Sequence, residues 1–139
     1  MKTSAKVLSI LFLSFFLLSN HSFKNLFDDP IHGTWKRMGD HLVIKIIPET
    51  DQQYYSFIID QGKRTFPCEV SSLPIYKNIV KKGDNYWECE FLFVDLNSCD
   101  TGYERGKMRI TPEGELEVNC SGYSKKYYSK INPRSKSSD

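Results

Sequence analysis

The sequence predicts an all-β domain, an antiparallel up-and-down β-barrel of about eight strands. The first observation is the stretch Tyr86-Trp87-Glu88-Cys89-Glu90-Phe91-Leu92-Phe93-Val94. Trp87, Cys89, Phe91 and Phe93 fall at every second position, with Glu88 and Glu90 between them. A strand sends alternate side chains to opposite faces, so this spacing puts an apolar row on one face and carboxylates on the other, whereas a helix would mix the two. The second observation is that other segments repeat the alternation, separated by turn residues at short intervals. The third is that no helix-period segment, repeat or second domain interrupts residues 23–139.

The chain begins with Lys2 and Lys6 and no acid, and residues 7–18 are apolar except for Ser9 and Ser14. That run falls short of the roughly 20 apolar residues a membrane-spanning helix needs. A basic start, a short apolar core and small polar residues form the layout of a secretory signal peptide, placed at residues 1–22. No cysteine follows the run, so lipoprotein anchoring is not expected. Export to the periplasm or the medium is the expectation, with no stable membrane anchor after cleavage. Removal of residues 1–22 leaves 117 of 139 residues, a single-domain size. It also leaves 17 basic residues, and the whole chain has 17 acids, so the mature protein is near neutral. Lys125, Lys126, Lys130, Arg134 and Lys136 make the C-terminal part locally basic, which reads as a solvated edge and tail and not as a nucleic-acid surface.

Residues 23–30 read as a leader with a turn at Asp28-Asp29-Pro30, and residues 31–132 as the barrel. A first strand runs from Gly33 through Trp35 to a turn at Gly39-Asp40, and Leu42, Ile44 and Ile46 are the inward set of the second. Tyr55, Phe57 and Ile59 are the expected inward set of the third strand, with Ser56 and Asp60 outward. Residues 64–70 read as a further strand with Phe66, Cys68 and Val70 on one face and Pro67 marking an edge or bulge. Residues 75–81 alternate poorly and form only a short candidate strand. After the central strand and its loop, Met108 and Ile110 alternate with charges, Pro112-Glu113-Gly114 makes a hairpin turn, and Leu116, Val118 and Cys120 face inward. Residues 125–132 form the last strand, and 133–139 a polar tail expected to be disordered.

The four cysteines, Cys68, Cys89, Cys99 and Cys120, all follow the signal segment, and in an exported small domain an even number favours disulfides. Three connectivities are open. In a meander Cys99 and Cys120 fall at the same end of the sheet, which favours Cys99–Cys120 with Cys68–Cys89.

Gly33-Thr34-Trp35 at the start of the first strand resembles the opening of the lipocalin superfamily. The resemblance implies that Trp35 closes one end of the core. Fatty-acid-binding proteins share a similar Gly-Thr-Trp-Lys but place two lid helices after the first strand, and the second strand here begins too soon for them. The Thr-Asp-Tyr-like loop of general lipocalins has no match, and Arg134 is the candidate for their late Arg over the Trp. The closer resemblance is to small exported lipocalin-like proteins of bacteria, a largely uncharacterised family. It rests on Gly33 and Trp35, Trp87, the hairpin over residues 108–120 and Tyr127-Tyr128, and covers about residues 31–133.

Catalysis finds no constellation. His32 and His41 flank the first strand and read as turn or surface residues, and no Gly-x-Ser-x-Gly elbow occurs. Asp95, Asn97 and Asp100 offer oxygens, but the bidentate Glu of a calcium loop counted from Asp95 would fall at Gly106, so no metal or other cofactor is expected. The sequence therefore predicts a monomeric binding protein, not an enzyme. Trp35, Phe57, Trp87, Phe91 and Phe93 are the residues expected to line an interior site for a small hydrophobic molecule. The alternative is a filled barrel that meets a protein partner. Ser121-Gly122-Tyr123 resembles the inhibitory loop of periplasmic lysozyme-inhibitor barrels, although that family's Tyr spacing is absent.

Overall fold

The computed structural model describes residues 28–132 except 51, 67 and 71. The segment 1–22 expected to be a signal peptide, most of the expected leader, the tail at 133–139 with Arg134, and Pro67 lie outside the described residues. Eight strands follow one another: β1 (Gly33–Arg37), β2 (Val43–Pro48), β3 (Gln53–Asp60), β4 (Tyr76–Gly83), β5 (Tyr86–Val94), β6 (Thr101–Ile110), β7 (Leu116–Cys120) and β8 (Lys126–Ile131). Each is antiparallel to the next, and β8 closes on β1, making an up-and-down barrel without free edges.

The inward rows of β2, β5 and β7 follow the alternation of the sequence. Leu42, Ile44 and Ile46 are buried, as are Trp87, Cys89 and Phe91, and Leu116, Val118 and Cys120. The third strand is reversed. Tyr54 and Ser56 are buried, while Tyr55 and Phe57 lie on the other face with their ring centroids 6.2 Å apart. Register explains the reversal, because residues directly opposite across a ladder share a face. Ile46 stands opposite Ser56 and Ile44 opposite Ile58, so the inward row of β2 draws the even-numbered residues of β3 inward. Ser56 tolerates burial because its Oγ accepts the Tyr76 N–H at 2.9 Å, where the β3–β4 register is irregular.

The second departure concerns residues 64–70, whose described positions are not a strand. They belong to a long connection over residues 61–75, and the fourth strand is Tyr76–Gly83. Its alternation is poor for a physical reason. Asn78 takes a left-handed conformation (φ 48°), the β4–β5 register shifts between Lys77 and Val80, and the buried residues become Tyr76 and Ile79, three apart.

Antiparallel order gives the barrel two unlike ends. At the base, Ile31 is buried and accepts the Trp35 Nε1–H at its carbonyl (2.9 Å). Asp29, also buried, accepts the Ile31 N–H at 3.2 Å and pairs with Lys81 at 3.2 Å, while Lys130 Nζ donates to the Pro30 carbonyl at 2.9 Å. At the mouth lie the β1–β2 turn, the long 61–75 connection, the β5–β6 loop and the β7–β8 loop.

The cysteines do not pair as Cys99–Cys120 with Cys68–Cys89. The disulfide is Cys68–Cys99, with Cα atoms 5.5 Å apart, and it ties the 61–75 connection to the β5–β6 loop. Cys89 and Cys120 are buried free thiols. They face each other across Gly106 of β6, the residue paired with both. Two strand spacings separate their backbones by about 9–10 Å, beyond the usual reach of about 4.4–6.8 Å for a bridge. A Cβ on Gly106 would lie 3.3 Å from Cys89 Sγ and 3.4 Å from Cys120 Sγ. The glycine therefore leaves the room both thiols occupy, and they behave as small interior hydrophobes. Burial pushes the Cys120 thiol up to about 11 and raises Cys89 further.

Candidate functional site

The barrel interior divides in two. Trp35, Trp87, Tyr54, Ile79 and Met108 are fully buried, and they pack the half nearer the base as a closed core. Toward the mouth a cavity of about 280 Å³ remains. Its walls are Ile58, Ile75, Phe91, Phe93 and Tyr123 from the barrel and its loops, and Phe66 and Val70 from the 61–75 connection. Phe91 and Tyr123 meet edge to face with centroids 5.3 Å apart, so the β7–β8 loop leans on the barrel wall.

The 61–75 connection is held over the mouth at several points. At its root Gly62 has φ +61°, and a Cβ there would lie 2.4 Å from the Asp40 carbonyl oxygen, a position only glycine can fill. That approach lets Lys63 N–H donate to the Asp40 carbonyl at 2.8 Å. Farther on stand the Cys68–Cys99 bridge and a hydrogen bond from Tyr103 Oη to the Pro74 carbonyl at 2.9 Å.

A second recess of about 290 Å³ adjoins the cavity, lined by Met38, Asp40, Ser124, Lys125 and Tyr127. Arg37, Arg64 and Lys126 line both spaces and so form the neck between them. Arg37 is buried because β1 places it two residues beyond Trp35, on the inward face. Its Nε donates to Asp40 Oδ1 at 2.8 Å, its second nitrogen pairs with Oδ2, and Arg64 Nε reaches the same carboxylate at 3.3 Å. Burial opposes the charge of Asp40, yet hydrogen bonds from Arg37 and the Leu42 N–H hold its carboxyl below the usual range. For Arg37, too, burial works against the charge, and the bond to Asp40 together with the electrostatics of Tyr128, Tyr76 and Asp40 outweighs it. Lys126 is depressed first by burial and then by the neighbouring Arg37 and Arg64. Below the neck the Tyr76 and Tyr128 hydroxyls hydrogen-bond at 2.8 Å, and the Arg37 guanidinium lies 5.9 Å from the Tyr128 ring centroid.

Of the five aromatic residues expected at a binding site, the structure brings Phe91 and Phe93 to the cavity. Trp35 and Trp87 sit in the closed core, and Phe57 lies on the other face of its strand. Arg37, Phe66, Tyr123 and Lys126 were not expected there. Arg37 had a signal, since a charge on the inward row of a strand needs a reason. Phe66 and Tyr123 had none, because loops alone carry them to the mouth. His32 and His41 lie at opposite ends of the barrel, and among the described residues no three His, Cys, Asp or Glu side chains gather as a metal site. A larger depression, about 650 Å³, lies over β4 to β7, but charged residues of both signs line it, including Lys82, Glu88, Glu90, Arg105 and Lys107. Apolar enclosure beside a few convergent polar groups favours the mouth.

Comparison with known protein families, with curated proteins and with solved structures found no match.

Proposed function

We propose that this chain is an exported lipocalin-like barrel that binds a small hydrophobic molecule at its mouth and acts by binding, not by catalysis. The observation that carries the reading is the apolar cavity between the barrel wall and a connection held over it by a disulfide. A filled barrel needs no such chamber, and a disulfide-fixed cover preorganises a site at low entropic cost. The lipocalin likeness gains support from Trp35, whose ring has the Lys130 ammonium 5.2 Å from its centroid. On this reading Lys130 of the last strand is the counterpart of the late Arg of lipocalins. Cys68–Cys99 favours an oxidising, extracytoplasmic compartment, whether periplasmic or external.

A protein partner is the second reading, favoured by Met38, Phe93, Leu96 and Tyr123, which stand exposed around the mouth. Nuclear magnetic resonance of the mature protein titrated with 1-decanol separates the two. Shifts at Phe66, Val70, Phe91 and Tyr123 are expected. No shift up to the solubility limit, or shifts confined to the outer face of β4 to β7, would overturn the ligand reading.

A further inference from the structure

Resting on that reading, we propose that the ligand is a single-chain organic anion, its head group held at the neck by Arg37, Arg64 and Lys126 and its apolar tail lying in the chamber. The two recesses differ in kind and share their cationic residues. One is walled by aromatic and aliphatic side chains, the other by polar and charged ones, and Arg37, Arg64 and Lys126 belong to both. An occupant spanning the neck must itself change from apolar to charged along its length.

The sign of the charge follows from the balance at the neck. Three cations converge there, and Asp40 is the single carboxylate among the residues lining either space. Asp40 is already engaged by both guanidiniums. Lys126 is half-buried and forms no ion pair among the described residues, while Lys125 is turned to Glu117 at 3.4 Å. Partly desolvated cations crowded together are costly without a counter-charge, and an anion placed among them relieves both burial and repulsion. The proton affinity of Lys126 is depressed first by that burial and then by the Arg37 and Arg64 charges beside it.

The size of the tail follows from the chamber. At about 30 Å³ for each water-sized group, a cavity of about 280 Å³ takes roughly nine heavy atoms. That suits one medium-length chain and does not hold both chains of a two-chain lipid. Tyr76 lines the chamber below the neck, and its hydroxyl is already committed to Tyr128. The arginines and the lysine, not the phenols, are therefore the groups left to meet the head.

The test compares two probes of one tail length, decanoate and 1-decanol, by calorimetric titration of the mature, oxidised protein. Decanoate is expected to bind at least about tenfold more tightly, a difference of about 1.4 kcal/mol, and to lose that advantage in high salt. Arg64 and Lys126 are exposed enough to change without threatening the core, whereas Arg37 is buried. The double variant R64Q/K126Q should weaken decanoate at least about tenfold more than it weakens 1-decanol. Equal affinity of the two probes for the unaltered protein would overturn the anion while leaving the binding barrel intact. Equal weakening of both probes in R64Q/K126Q would overturn it too, by making the two residues structural. Failure of both probes to bind would remove the ligand-binding reading itself.

Discussion

Tyr76 and Tyr128 form the buried polar contact on which the neck rests. Their hydroxyls are 2.8 Å apart, and burial is the main cause holding both phenols above their ordinary titration range. Each hydroxyl is the other's partner, and the Arg37 guanidinium lies 5.9 Å from the Tyr128 ring centroid. Tyr128→Phe leaves the Tyr76 hydroxyl buried without its partner and should cost about 1–3 kcal/mol. Tyr76→Phe leaves the Tyr128 hydroxyl in the same position and should cost a similar amount. The double variant should cost less than the sum of the two, measured by urea unfolding; simple additivity would contradict the arrangement. At this scale the sequence was legible wherever a residue's own chemistry announced its surroundings. Arg37, two positions after Trp35 on an inward row, carried such a signal although it was not among the expected site residues. Ser56 was not, because its polarity argues for the outside and the N–H that satisfies it comes from Tyr76, twenty residues away.

Among the elements, clean alternation marked β2, β5 and β7 correctly, and the failures lie where the backbone breaks period. In β3 both faces are rich in apolar side chains, so composition favoured Tyr55 and Phe57 over Tyr54 and Ser56, and the register with β2 decided otherwise. In β4 the left-handed Asn78 shifts the inward row by one residue and hides the strand. The 61–75 connection imitated a strand because Phe66, Cys68 and Val70 all turn toward the barrel, but from above its mouth. Its bridge to Cys99 spans 31 residues in sequence. For a loop of that length, chain entropy predicts a contribution of about 3–4 kcal/mol. Reduction should lower stability by that order and loosen the cover of the cavity. The intact oxidised protein should have a mass two hydrogens below the fully reduced value, with one cross-linked peptide joining Cys68 to Cys99. A deficit of four hydrogens would contradict the structure, since Cys89 and Cys120 are held apart by the width of β6.

For the whole molecule, the closed eight-stranded barrel was legible from turn spacing and the absence of helical period, because sequential antiparallel strands leave few ways to remove the sheet's edges. What the sequence did not disclose is the asymmetry of the two ends. Trp35 and Trp87 were read as site residues because large aromatics serve equally well to fill a barrel or to line one. Their complete burial assigns them to the packed half. The unfilled space is instead at the mouth, where Phe91 and Phe93 meet side chains contributed by loops. The described barrel is thus a cup, filled at the base and covered above.

The central claim, that this cup carries a small molecule, is tested most directly by native mass spectrometry of the protein purified from its own host. The account predicts a mature chain with one retained small molecule that is lost on denaturation, of a size that fits a cavity of about 280 Å³. A bare chain under the gentlest conditions, or one that retains only a protein partner, would contradict it.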